Sequence, residues 1–286
     1  MILHHFRQQL PVGQGFFHTG SISVDHGPQF HYVYDCGSEN TKALGREVES
    51  YVDSLDGEPI DLLFLSHLDN DHVCGLERLL LLAKSKIAVL PYLTPNARLL
   101  LIAKALDDGT LSSSGTSFLC DPTGWLTARG VGRVIYIASG PPPEGEPKDW
   151  TILGPEDPPI LSRENDVLER EPPSRLNIRL EALKSAEHGA QIAKKHRNKA
   201  MTISCMEALR PRLGKLRLSA NWQFITFVHP EGEREVTFAN LVRRVFKRQL
   251  VPAKSFEINQ AFLLGVLQDP KERDKLAACY AVIRSD

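Results

Sequence analysis

Apolar and polar positions alternate in blocks along the first half of the chain. Residues 2–9 (ILHHFRQQ), 15–24 (GFFHTGSISV) and 30–37 (FHYVYDCG) read as successive strands parted by turns with Gly or Pro, a spacing that suits antiparallel hairpins. Residues 39–55 then bring Leu44, Val48, Val52 and Leu55 onto one helical face. The short apolar run Leu62 to Leu65 reads as a buried strand, and helical spacing of apolar residues starts near Val73. After it, residues 86–93 (KIAVLPYL) read as a strand, 97–108 (ARLLLIAKALDD) as a helix and 133–138 (RVIYIA) as a strand. The pattern predicts an α/β protein with alternating elements.

A loop rich in Pro and Gly at 139–150 interrupts the pattern, followed by a strand-like WTILGP and a polar, Pro-punctuated stretch at 156–174. The boundary therefore falls near residue 155. It divides the chain into an α/β region, 1–154, and a compositionally different region, 155–286, that continues or is inserted into the same domain. The helix-like FANLVRRVFKRQL lies in the second region, and Ala277 to Ile283 reads as a buried strand.

Composition changes this picture little. The chain has 286 residues, 42% hydrophobic and 24% charged, with a formal net charge of −1, as expected of a soluble protein with a full-sized core. No basic segment followed by an apolar one opens the chain, and no run reaches the ~18 apolar residues of a membrane span, so we expect a cytoplasmic protein. Five scattered cysteines without a C-x-x-C pair read as reduced thiols. Cys74 could approach a metal or fill a small apolar gap. Charge is uneven: Lys184 to Lys254 holds 15 Lys and Arg against 5 Glu and no Asp, a balance of +10. Such a segment is either a set of solvated helix faces or a nucleic-acid-facing surface, with Arg243, Arg244, Lys247 and Arg248 as the candidate contact residues.

The chemistry concentrates between the apolar strand and the helix after it. His67, Asp69, Asp71 and His72 fall within six residues on a strand-to-helix turn, where such a turn aims several donors into one cleft. Asp69, Asn70 and Asp71 are also ordinary turn and cap formers, but that reading leaves both histidines unexplained. The pair of glycines in VGQG at 12–15 makes a tight turn and lacks the pattern of a phosphate loop.

Together Gly13-Gln14-Gly15, Asp35-Cys36-Gly37 and His67-x-Asp69-x-Asp71-His72-x-x-Gly75 resemble the metallo-β-lactamase fold superfamily, in its branch of bacterial DNA-uptake competence nucleases. The resemblance covers residues 10–80 and weakens beyond. It implies an αββα sandwich, of which 1–154 supplies the N-terminal part, joined to a divergent helical and basic region. It further implies two divalent ions: His67 and Asp69 would hold one, Asp71 and His72 the other, and Asp35 would orient ligands. Asp69 stands where the superfamily usually has a histidine, which moves the expected metal from zinc toward manganese or magnesium without excluding zinc.

The expected activity is metal-dependent hydrolysis, with Asp71 as ligand and acceptor of a proton from water. A phosphodiester substrate and a basic segment to guide it point to a nuclease acting on nucleic acid. A small-ester or thioester hydrolase of the same fold is the alternative, and a non-catalytic regulatory or binding fragment with a partial metal site is another. The resembled family also needs later ligands, a further histidine, a bridging Asp and a final histidine. His188, His196 and His229 have no matching context, and no site role is assigned to them. We therefore expect a second polypeptide or a further C-terminal segment to complete the fold.

Overall fold

The computed structural model describes residues 3–24, 29–137, 199–203, 208–209, 212–213, 216–217, 224–225, 233–247, 250–251 and 258–284. Seven strands form one sheet in chain order: β1 (Leu3–Gln9), β2 (Gly15–Val24), β3 (Phe30–Ser38), β4 (Ile60–Phe64), β5 (Ser85–Pro91), β6 (Arg133–Ile137) and β7 (Ala200–Ile203). The first two pairings are antiparallel hairpins; from β3 onward every pairing is parallel. Parallel strands need crossovers, and from β3 to β6 the chain supplies helices for them. β7 extends the sheet beside β6, so the region past residue 155 contributes to the same layer.

Register explains why both sheet faces are apolar. Val33, Leu63, Ala88, Val134 and Ala200 lie side by side and belong to the main core cluster. Phe64, Val89 and Ile135, one position along, point to the opposite face and are buried as well. Strands covered on both faces are continuously apolar, as LLFL and IAVL are, and not alternating.

Helix α1 (Thr41–Ser54) buries Ala43, Leu44, Val48 and Tyr51, and Asn40 caps it through its side chain. The helical run expected from Val73 is two pieces, α2 (Asn70–Val73) and α3 (Leu76–Leu82), parted at Gly75. Helix α4 (Pro95–Asp107) has Thr94 as cap and Pro95 at its start. Two further helices, α5 (Ser113–Cys120) and α6 (Pro122–Ala128), come from a stretch whose Ser and Gly content masks them. Ser112 and Asp121 cap them, and the buried Arg98 guanidinium donates to the last carbonyls of α5, Leu119 and Cys120, both at 2.7 Å.

The C-terminal elements are α7 (Glu233–Val245), α8 (Gln260–Gln268) and α9 (Pro270–Arg284). The strand expected at Ala277 to Ile283 is therefore wrong: those residues lie within α9. Leu276, Cys279 and Ile283 are the buried positions, a spacing of three and four that fits one helical face and no strand. Asp269 receives the Lys271 backbone N–H at 2.9 Å, and Pro270 opens the helix. Helices α7 and α9 pack on α4, and Arg284 pairs with Asp107 at 2.6 Å. Two short pairs, Ala208–Leu209 with Phe224–Ile225 and Arg212–Leu213 with Leu216–Arg217, stand apart from the main sheet. Among the described residues there is no second large sheet. The strand expected at WTILGP, the connection at 156–174, Cys205, Arg248, His188, His196 and His229 lie outside the described residues.

Candidate metal centre

The site lies at the C-terminal ends of β3 and β4, where parallel strands leave their loops together. Between Phe16 and His18 the pairing of β2 with β3 shifts: Phe16 faces Gly37, but His18 faces Tyr34. β3 thus carries one residue more than β2, a bulge that re-aims Asp35. Asp35 has a φ of 58°, in the left-handed region that Asp tolerates better than most residues. Its side chain is 1% exposed.

Asp35 organises the turn that follows β4. Its Oδ1 accepts the Ser66 backbone N–H at 2.7 Å, and its Oδ2 accepts the Ser66 hydroxyl at 2.5 Å. The same Oδ2 lies 2.9 Å from His72 Nδ1. Ser66 Oγ in turn lies 2.8 Å from His67 Nδ1, so one buried carboxylate reaches both histidines, one of them directly. The two imidazole centroids are 3.8 Å apart. Phe16 stacks on His72 from the β2 side with ring planes 8° apart.

Two groups of side chains have the donor atoms and spacing to hold a cation. Asp35, His67 and His72 form one, and His67, Asp69 and Asp71 the other, with donor atoms within 4.8 Å of one another in each. His67 stands in both. His72 Nε2 is 3.6 Å from Asp71 Oδ2, its neighbour in α2, so the two groups adjoin. Mixed imidazole and carboxylate donors suit zinc and also harder divalent ions. All of these ligand candidates come from residues 35–72. Cys74 joins neither group: its thiol donates to the Ser38 carbonyl at 3.3 Å and receives the Ser38 N–H at the same distance. Burial, the largest influence, holds that thiol above its ordinary range, although the backbone N–H groups of Ser38 and Cys74 pull it down.

The glycines of the two upstream motifs let this turn approach the sheet. A Cβ on Gly15 would sit 2.6 Å from the Asp71 carbonyl oxygen, and one on Gly37 would sit 2.5 Å from the Asp71 carbonyl carbon. Gly15 also has a φ of +126°, which side chains rarely adopt. The tight-turn reading of VGQG therefore has a further reason: the turn backs directly onto the candidate ligands.

A cleft of about 260 Å³ opens on the Asp69–Asp71 side. Leu68, Leu101, Leu111 and Phe118 give it apolar walls, and Lys104, Thr110 and Ser112 give it polar groups. Lys104 of α4 donates to Asp69 Oδ2 at 2.6 Å. Burial alone would lower the Lys104 pKa, but the hydrogen bond and charge of Asp69, helped by Tyr280 and Asp108, outweigh it and raise the pKa. Neither Lys104 nor Ser66 was signalled by the sequence, because α4 shows only a helical pattern and a serine after a strand is commonplace.

Arg243, Arg244 and Lys247, the described members of the basic cluster, are exposed at and just beyond the end of α7. α7 packs on α4, the helix that bears Lys104.

Residues 18–99 match the family model of the metallo-beta-lactamase superfamily, a span that runs from β2 through the ligand turn into α4. The N-terminal part of the chain carries that fold. Among solved structures, the chain is similar to MEM-A1, a subclass B3 metallo-beta-lactamase isolated from a soil metagenome library, at 20% identity over 38% of this chain and 35% of that one, with a TM-score of 0.22. It is similar also to a beta-lactamase domain protein from Burkholderia ambifaria, at 17% identity over 37% and 33% of the two chains, with a TM-score of 0.25. The similarity thus spans about a third of the length of either structure. No curated protein matches the chain. No helix among the described residues is long and apolar enough to cross a membrane.

Proposed function

We propose that the chain is a metal-dependent hydrolase acting on phosphodiesters of nucleic acid, in the manner of the competence nucleases its motifs resemble. The observation that supports this reading most is the convergence of His67, Asp69 and Asp71, with Asp35 and His72 beside them, on one turn of a segment that matches the metallo-beta-lactamase superfamily. The donor chemistry fits one or two divalent ions, zinc or manganese or magnesium, held by His67, Asp69, Asp71 and His72. Bound there, such ions lower the pKa of water and neutralise charge on a phosphoryl oxygen.

The chain's own residues do the rest. Asp35 fixes the His72 ring by taking its Nδ1, which leaves Nε2 directed at the ligand turn. Asp71 Oδ2, next to His72 Nε2, is the acceptor we assign for a proton from attacking water. Arg243, Arg244 and Lys247, with Arg248, supply the charge that holds a nucleic-acid backbone. The later ligands of the resembled family come, in this proposal, from another polypeptide or from segments outside those described.

The apolar walls of the cleft support a second reading, hydrolysis of a small ester or thioester. Elemental analysis of purified protein, followed by cleavage of plasmid DNA against a chromogenic ester, separates the cases. Bound metal with DNA cleavage supports the nuclease, and bound metal with ester turnover alone supports the second reading. Bound metal without either activity leaves a binding subunit, and absence of metal overturns all three.

A further inference from the structure

Asp69 occupies the cap position of α2 in extended backbone, φ −70° and ψ 150°, yet its side chain makes no cap hydrogen bond. Asn40, Thr94, Ser112 and Asp121, at the corresponding positions of α1, α4, α5 and α6, all cap with a side-chain oxygen. The Asp69 carboxylate turns instead to Lys104, 35 residues away, and meets its Nζ at 2.6 Å. That carboxylate also belongs to the group with His67 and Asp71.

An ammonium is a compact point charge with three donors and no acceptor. At Asp69 it does electrostatically what a small cation does: it neutralises the carboxylate. A divalent ion held by His67, Asp69 and Asp71 would share that carboxylate with Lys104. Whether the ion takes the same oxygen or the other, two positive charges then face each other across one anion, and their repulsion weakens the ion's hold.

We propose that Lys104 is a positioning residue that competes with the divalent ion for Asp69 and so sets the affinity of the site. This rests on the metal-dependent reading above and extends it. Lys104 holds Asp69 toward α4 and offsets the charge of its carboxylate beside Asp71. Ion binding releases Lys104 from Asp69, and the released ammonium lines the cleft.

The test titrates the full chain with Mn²⁺ in competition with a chelating dye, and uses the variants Lys104→Met, Lys104→Arg, Asp69→Asn and the double variant Lys104→Met with Asp69→Asn. Lys104→Met should bind the ion about tenfold more tightly, because it removes the positive charge that repels the ion across the shared carboxylate. Lys104→Arg keeps the charge and should stay near wild type. Asp69→Asn should bind more weakly, and adding Lys104→Met to it should give no further tightening, because the competed carboxylate is gone. Equal or weaker binding by Lys104→Met in a chain that binds Mn²⁺ overturns the role of Lys104 alone. Tightening that persists in the Asp69→Asn background overturns it too. Should Lys104→Met fold poorly, Lys104→Gln, which removes the charge and keeps a polar side chain, takes its place: tighter Mn²⁺ binding than wild type supports the role, and equal or weaker binding overturns it. Absence of Mn²⁺ binding by wild type and every variant overturns the metal-dependent reading together with this one.

Discussion

His72 Nδ1 lies 2.9 Å from Oδ2 of Asp35, although 37 residues separate them in the chain. A bulge at the end of β3 and a helical turn after β4 are both needed to bring them together. The buried carboxylate fixes the ring, and through Ser66 it also reaches His67. Asp35→Asn keeps the shape but removes the charge and one acceptor. It should lower divalent-ion affinity by about 10- to 100-fold, as loss of a ligand's orienting partner does. Isothermal titration with Mn²⁺ or Zn²⁺ measures this, and unchanged affinity would contradict the orienting role.

Asp71→Ala should lower metal content without unfolding the protein. Asp71 is partly exposed and stands outside the core cluster, so its loss opens no cavity. Elemental analysis beside a thermal melt checks both halves: metal lost, midpoint nearly kept.

Gly37→Ala should act on the ligand turn through sterics alone. The added methyl meets the Asp71 backbone at 2.5 Å, which rigid backbone cannot accommodate without shifting. We expect a destabilisation of about 1–3 kcal/mol, typical of overpacking, together with weaker ion binding. Urea denaturation and ion titration on the same variant provide the readouts. A normal midpoint with normal affinity would mean that the turn does not lie against β3.

Reversing charge at Arg243, Arg244, Lys247 and Arg248 should abolish DNA binding by the full chain. For the unaltered chain, binding should fall steeply as salt rises, because each phosphate contact releases a counterion. Filter binding or fluorescence anisotropy across a salt series shows it. Binding that survives the reversal would assign these residues to a solvated or protein-facing surface.

Much of the first half of the molecule was written in local pattern. The strands β1 to β6, the helices α1 and α4 and the ligand turn announce themselves because alternation, helical spacing and apolar runs are properties of neighbours in the chain. The candidate ligands His67, Asp69, Asp71 and His72 were legible for the same reason: a turn holds them within six residues. Helices α5 and α6 escaped because Ser and Gly read as loop, although Ser112 and the Asp121-Pro122 pair were start signals. The strand expected at Ala277 to Ile283 failed because a short apolar run does not specify its own period. There, burial of Leu276, Cys279 and Ile283 beside α4 and α7 selected the helix.

Tertiary structure alone decided how the candidate ligands group. The resemblance paired His67 with Asp69 and Asp71 with His72; the folded chain brings the donor atoms of Asp35, His67 and His72 together in one group and those of His67, Asp69 and Asp71 in another. It also decided that Asp35 serves both histidines and that Lys104 answers Asp69. These partners lie 31 to 37 residues apart, too far for any local pattern to record. Only the parallel register of β3 with β4 and the packing of α4 beside the turn bring them within hydrogen-bonding distance.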